Sequence, residues 1–341
     1  MSRCLPASKS HLLFRPGAIM KAMRALPFAV CLIVATVPKL AHAAEVVLKA
    51  VSAFQEGTYF SRNFESFVKK VNEEGKGIVR IEYIGGPKAI PTMEQGAALR
   101  NGVIDLANTT ATFTASIVPE GLALNYATLP FSEIRKNGSL DYLNSIMRQK
   151  GLYYFARTGD RIPYHIYLNK KIDKPDLSGL KIRITPIFRD FFVKLGAGVV
   201  QMAPGEVYTG LERGVVDGYG WPAIGIFDLG WQERTKYRLE PGFYTLELGI
   251  QFSARRWDSL TPEQRDFLQK QVAWLENMSL DASLRDAAAD IKRQSEAGIQ
   301  PIRLSDADSA AFLAKSQEAG WATVLSASPK HGAKLRQMMA P

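Results

Sequence analysis

Between Leu177 and Pro222 the chain reads LSGLKIRITPIFRDFFVKLGAGVVQMAPGEVYTGLERGVVDGYGWP, and one arginine, Arg183, stands between Ile182 and Ile184. If Lys181 to Ile184 is a strand, alternation turns Arg183 to the face opposite both isoleucines. A guanidinium presents a planar fork of donors that matches two carboxylate oxygens, which the point charge of lysine cannot imitate. The chemistry on offer is the capture of a small anion, with no bond made or broken. Periodicity alone is equally compatible with an ordinary surface arginine.

Other reactive residue types are scarce. Both cysteines, Cys4 and Cys31, come early, and only His165 and His331 follow residue 43. From Ala44 onward this excludes disulfides, thiol catalysis and zinc sites of ordinary spacing. No G-x-S-x-G, G-x-x-x-x-G-K-[ST] or G-x-G-x-x-G is present, and Gly85-Gly86-Pro87 reads as a turn. His165 is the residue type of a general base, but it has no nucleophile to serve, and a lone strand histidine is more often hydrogen-bonded structure. We therefore expect no catalytic residues, no cofactor and no dedicated metal site; cation binding by carboxylates alone stays open.

The elements that must position Arg183 follow from apolar spacing. Strands are expected at Val46–Ser52, Val79–Ile84, Val103–Ala107, Leu152–Arg157 and Tyr164–Leu168, with helices over Ser61–Asn72, Met93–Arg100 and 140–150. Next come strand Lys181–Ile184, helix Phe188–Leu195, strand Val199–Met202 and helix Pro204–Arg213, the last with proline in its first turn. Val215 to Gly218 closes that unit, and Leu246–Phe252 is a strand leading back towards the first. Thr261-Pro262-Glu263 opens a helix in cap, proline, acid order, running to about Ser295 and long enough to span two lobes. The alternation of strand and helix argues an α/β fold with parallel pairing.

The first 43 residues read as a secretory leader. Arg3, Lys9, Arg15, Lys21 and Arg24 precede the apolar run from Ala25 to Val37, and Ala41-His42-Ala43 is an A-x-A cleavage site. The run is too short for a membrane helix. A start at Met20 or Met23 would give a more ordinary leader, and Cys31 lacks the small-residue context of a lipid-attachment cysteine. Without this segment, 37 basic residues face 33 acidic ones, a balance of +4 rather than the headline +10. That is a mildly basic surface and no nucleic-acid footprint.

The strings GLKIR, then GA, then MAPGEVYTGLERGVVDG resemble the solute-binding subunits of TRAP (tripartite ATP-independent periplasmic) transporters, the DctP-like family for dicarboxylates and other organic acids. Its pattern is roughly G-x-K-[IL]-R followed by E-x-Y-x-A-L-x-x-G-x-V-D-G, with Gly210 here in place of the usual alanine. The resemblance implies a two-lobed periplasmic-binding clamshell with mixed, mostly parallel sheets, crossover strands and a long helix across both lobes. The lobes would be 44–168 plus 250–285 and 169–249 plus 286–341.

The same resemblance implies that Arg183 grips the carboxylate of an organic acid. It puts Trp221 where many relatives carry a polar ligand contact, which would give this pocket an aromatic wall. It also puts Tyr164, or Arg161 three residues earlier, near a second contact that some relatives have. In the first lobe, residues after the strand ends should face the cleft, as in open α/β sheets: Phe54, Gln55, Pro91, Thr92, Thr109, Thr110 and Phe113. Glu206 and Asp217 read as structural.

The expected function is capture of a small organic carboxylate in the periplasm, by a monomer, and its delivery to the small and large integral-membrane TRAP subunits. A monocarboxylate with an aromatic or short apolar body suits Trp221. The alternatives are a binding protein for an ABC importer, a sensor input domain or, least favoured, a periplasmic enzyme acting on an organic acid.

Overall fold

Apolar alternation gathers the described residues, 44–341 of the computed structural model, into two sheets. The leader, Cys4, Cys31 and the starts at Met20 and Met23 lie outside the described residues. The strands are β1 (Val46–Ser52), β2 (Val79–Tyr83), β3 (Leu106–Thr109), β4 (Leu152–Gly159), β5 (Pro163–Leu168) and β6 (Lys181–Ile184). They continue with β7 (Gly198–Gln201), β8 (Gly218–Pro222), β9 (Tyr237–Glu240), β10 (Phe243–Thr245), β11 (Leu248–Ser253) and β12 (Gln300–Arg303). The first sheet runs β2-β1-β3-β11-β4; the second runs β12-β9-β5-β8-β6-β7, with β10 on β5.

The sheets are mixed, as expected, but not mostly parallel. β1 pairs in parallel with β2 and β3, β6 with β7 and β8, and β9 with β12. β11 is antiparallel to β3 and β4, and β5 to β8, β9 and β10. The antiparallel half arises where the chain crosses between sheets. β4 belongs to the first sheet and β5 to the second; β10 belongs to the second and β11 to the first. The two crossings touch, Leu246 donating its N–H to the Ile162 carbonyl at 2.8 Å. A lobe boundary at 168 is thus displaced: β5 belongs to the second sheet, paired with β8 along its length.

Two helices brace this frame. Helix Tyr59–Glu74 buries Phe64, Phe67, Val68 and Val71, which recur at helical spacing against the first sheet. The long helix Pro262–Glu296 starts where expected, with Thr261 Oγ1 accepting from the Gln264 N–H and the Gln264 side chain accepting from the Thr261 N–H. Its first half buries Leu268, Val272 and Leu275; its second half buries Ser279, Ser283, Asp290 and Gln294. Gln294 donates to the Ala223 carbonyl and accepts from Arg238, so this polar half engages the second sheet.

The strand expected over Val103–Ala107 begins three residues later. Gly102 ends the preceding helix in the left-handed region, Val103 is exposed, and Asp105 caps the Lys49 N–H at 2.8 Å. Helices Asp306–Ala327 and Pro329–Met339 have no counterpart in the expected elements. The first packs on Arg189–Lys194 and also on Ala123–Tyr126, so it joins chain segments assigned to both lobes. Among the described residues, no helix is long and apolar enough to cross a membrane.

Candidate functional site

Arg183 lies on β6 with no exposed surface. Its Nε donates to the Met202 carbonyl at 3.0 Å and Nη1 to the Gly220 carbonyl at 3.4 Å. Nη2 is buried without a partner, and among the described residues no carboxylate lies within 4.0 Å of the guanidinium. Burial pushes its pKa down to about 9, against the weaker pull of Tyr164, Glu206 and Tyr219. A buried cation without a counter-ion is costly unless something supplies the missing charge.

Local sequence explains how the arginine is seated. Gly210 lacks the Cβ that would come within 2.9 Å of Met202, so Met202 packs there while its carbonyl receives Arg183. A Cβ on Gly220 would meet the Phe188 and Phe192 rings at 2.9 and 3.0 Å. Glycine therefore lets β8 run beneath those stacked rings with its carbonyl towards Arg183.

Around Arg183 the side chains leave a cavity of about 30 Å³. Trp221, Tyr164, Phe54, Phe113 and Thr110 all line it, so five expected residues meet Arg183 there. Trp221 meets Phe60 edge-on at 5.1 Å, and Phe54 stacks on Phe60 at 5.1 Å and faces Phe113 at 5.8 Å. The Arg183 guanidinium carbon sits 5.4 Å from the centre of the Trp221 ring. Trp221 Nε1 is buried without a partner, as is Thr112 Oγ1 on the same cavity. Burial, above all, raises the Tyr164 hydroxyl pKa well beyond the usual phenol range, so that group is a neutral donor here. The unpaired polar atoms lining the cavity are mainly donors, the complement of an anion.

Three expected residues line a neighbouring space. Gln55, Pro91 and Thr92 line a second space of about 240 Å³ with Pro87, Pro204 and Glu206, and it shares Phe54 and Phe60 with the inner cavity. Thr92 spends its hydroxyl on the Ala53 carbonyl at 2.9 Å. Glu206 accepts from the Ala203 N–H, and Asp217 accepts from the Lys181 N–H and from Lys170, both holding local structure.

Two others are elsewhere. Thr109 is fully buried within β3 and lines neither space, because alternation that points Thr110 into the cavity points Thr109 away. Arg161 lies exposed in the crossing turn with φ +59°, beside Asp160, Arg157 and Glu276 on another face. The turn that carries the chain between sheets aims it outward.

Several lining residues were not expected. Thr185 and Phe188 follow the end of β6, where the strand-end rule applies as it does in the first lobe. Glu247 sits in the second crossing, fully buried. Its Oε2 accepts from the Thr110 hydroxyl at 2.8 Å and the Ala111 N–H at 2.5 Å, and Oε1 accepts from the Tyr154 hydroxyl at 2.7 Å. A single acid inside the apolar run Leu246-Glu247-Leu248-Gly249-Ile250 was the available signal. Among the described residues, no group of three or more acids, histidines or cysteines is arranged to hold a metal ion.

Comparison with known proteins gives the family and the fold. A solute-binding protein of Albidiferax ferrireducens is 24% identical over 264 residues, covering 74% of this chain and 77% of that one. Among solved structures, a TRAP transporter solute-binding protein of Bordetella bronchiseptica, with copurified calcium and picolinate, matches with TM-score 0.78 at 17% identity, over 87% of this chain and 92% of that one. A TRAP periplasmic solute-binding protein of Desulfovibrio salexigens, with bound orotic acid, matches with TM-score 0.76 at 19% identity, over 86% and 97%. The family model described as bacterial extracellular solute-binding protein, family 7, matches residues 51–323, and the chain belongs to that family.

Proposed function

We propose that this protein captures a small organic carboxylate beneath Arg183 in the periplasm and delivers it to the integral-membrane subunits of a TRAP transporter. The observation that carries the reading is the fully buried guanidinium with an unpartnered Nη2 and, among the described residues, no acid within 4.0 Å. A ligand carboxylate supplies both the missing charge and the missing acceptor. Closing the two sheets' walls around it removes water and strengthens that bond. The ligand drives closure only through its better contacts in the closed state. No covalent step is involved.

The ring cluster of Phe54, Phe60, Phe113 and Trp221 favours a planar or apolar ligand body over a polyhydroxylated one. Orotic acid and picolinate, carried by the two structural neighbours, are planar acids of that kind.

The test is a thermal-shift panel on protein unfolded and refolded to shed carried-over ligand, against mono- and dicarboxylates, aromatic acids and sugar acids. A ligand at ~100 times its Kd adds about 2.7 kcal/mol of stability. Hits confined to carboxylates and lost in Arg183→Ala support the reading; an Arg183→Ala protein that binds as tightly as wild type ends it.

A further inference from the structure

Arg183 is not the only charged group on this small cavity. Glu247 lines it too, fully buried, and among the described residues no lysine, arginine or histidine nitrogen lies within 4.0 Å of its carboxylate. The two do not pair with each other. The cavity therefore has a cation on β6 and an acid, whose field also reaches the buried Arg157, on the crossing before β11.

The acid is already addressed by neutral donors. The Thr110 hydroxyl and Ala111 N–H fill Oε2, and the Tyr154 hydroxyl takes one position on Oε1. A carboxylate has about four acceptor positions, so one remains. We infer that the ligand is a monocarboxylate carrying a single O–H or N–H donor for Glu247, and that Glu247 is the residue that turns dicarboxylates away. This rests on Arg183 being the carboxylate partner, as proposed above.

Three chemical consequences follow. A second carboxylate entering this space would meet a buried like charge, and like-charge juxtaposition inside an interface is strongly disfavoured. A deoxy analogue would leave the last acceptor of Glu247 buried and unfilled, which a site built for a donor rejects. An ammonium brings a complementary charge but three donors to one open acceptor position, so Glu247 alone does not separate a zwitterionic amino acid from a hydroxy acid or a ring N–H acid.

The experiment measures Kd by calorimetry for matched ligands on refolded wild type, Glu247→Gln and Arg183→Ala. Pyrrole-2-carboxylate is set against 2-furoate, and 2- and 3-hydroxybutyrate against butyrate and succinate. Wild type is expected to prefer the donor-bearing member of at least one pair by about 10-fold or more, and to bind it on the order of 100-fold better than succinate. Glu247→Gln should shrink both ratios, with succinate gaining in absolute affinity, while Arg183→Ala loses every carboxylate.

Ratios within one protein cancel any general weakening, and the wild-type pairs alone decide the matter if Glu247→Gln does not fold. Equal binding of donor and deoxy partners, or an unchanged monocarboxylate-to-succinate ratio in Glu247→Gln, overturns the inference and leaves the Arg183 reading standing. Binding abolished by EDTA and restored by calcium also overturns it, since a cation would then occupy the acceptor position. Intact binding in Arg183→Ala, or no binding by any ligand, sinks the Arg183 reading and this inference with it.

Discussion

Two arginines are buried in this molecule in opposite circumstances. Arg157, on β4, lies over the Phe131 ring at 4.3 Å, donates to the Leu246 carbonyl at 3.2 Å and has Asp160 at 3.6 Å. Although burial pulls its pKa down, Tyr154, Asp160, Glu247 and Glu276 together hold it above the usual value. Arg183 has two carbonyls and the face of Trp221, and burial wins. Each guanidinium keeps one buried nitrogen without a partner, Arg157 Nε and Arg183 Nη2, but Arg157 has an acid within reach and Arg183 has none among the described residues. Sequence composition does not separate them, since both are single arginines in apolar strands, and only the count of nearby acids does.

The sharpest way to break this contrast is Arg183→Met, expected to cost about 2–5 kcal/mol of ligand binding. Its effect on the ligand-free protein should be the milder one, because removing an unpaired buried charge offsets the two stranded carbonyls. Arg157→Met should do the reverse, lowering stability by about 3–5 kcal/mol while leaving the order of ligand preference unchanged. Paired urea melts and titrations on both variants check this; equal stability losses would erase the distinction.

Next in size, Trp221→Asn should shift preference from planar acids towards hydroxylated ones by roughly 1 kcal/mol, read as a ratio of Kd values for pyrrole-2-carboxylate and glycerate. Asp228 accepts from the Tyr59 N–H at 2.5 Å, tying the start of helix Tyr59–Glu74 to the segment after β8. Asp228→Asn touches no cavity atom, yet should weaken every ligand by about 1 kcal/mol if this bond belongs to the closed arrangement. A selective loss would contradict that.

The smallest effect concerns His165, whose Nδ1–H donates to the Leu239 carbonyl at 3.0 Å and which faces Glu240 and Arg238. Burial holds its pKa below the usual histidine range despite Glu240 and the Leu239 carbonyl. The unfolded chain gains the proton near pH 6.5 and the folded one does not, so this contribution is present above about 6.5 and lost as pH falls below it. Between pH 7 and 5 the Tm of His165→Gln should therefore drop less than that of wild type.

Much of the frame was legible because it is locally written. β1, β6 and the cap of the long helix coincide with their apolar runs and with Thr261-Pro262. Arg183 stood out because a lone charge in an apolar strand is costly unless used. Glu247 bears the same mark, but its donors lie 93 to 137 residues away, so its surroundings exist only once the strands cross. The assignment of β5 to the second sheet is of the same kind: its own residues fix a strand, while its partner β8 is supplied by a distant segment. Arg161 shows the converse, since a residue three positions from a lining tyrosine is turned outward by one φ of +59°.

The seat of Trp221 has an optical consequence. Its indole stands edge-on to Trp231 at 4.6 Å, beside the Arg183 guanidinium, with its N–H unclaimed. Indole emission responds both to adjacent charge and to what the ring nitrogen bonds. If an anion binds at Arg183 as proposed, it should change both at once, so the molecule would carry its own gauge of occupancy. Its fluorescence should then read out binding without a label.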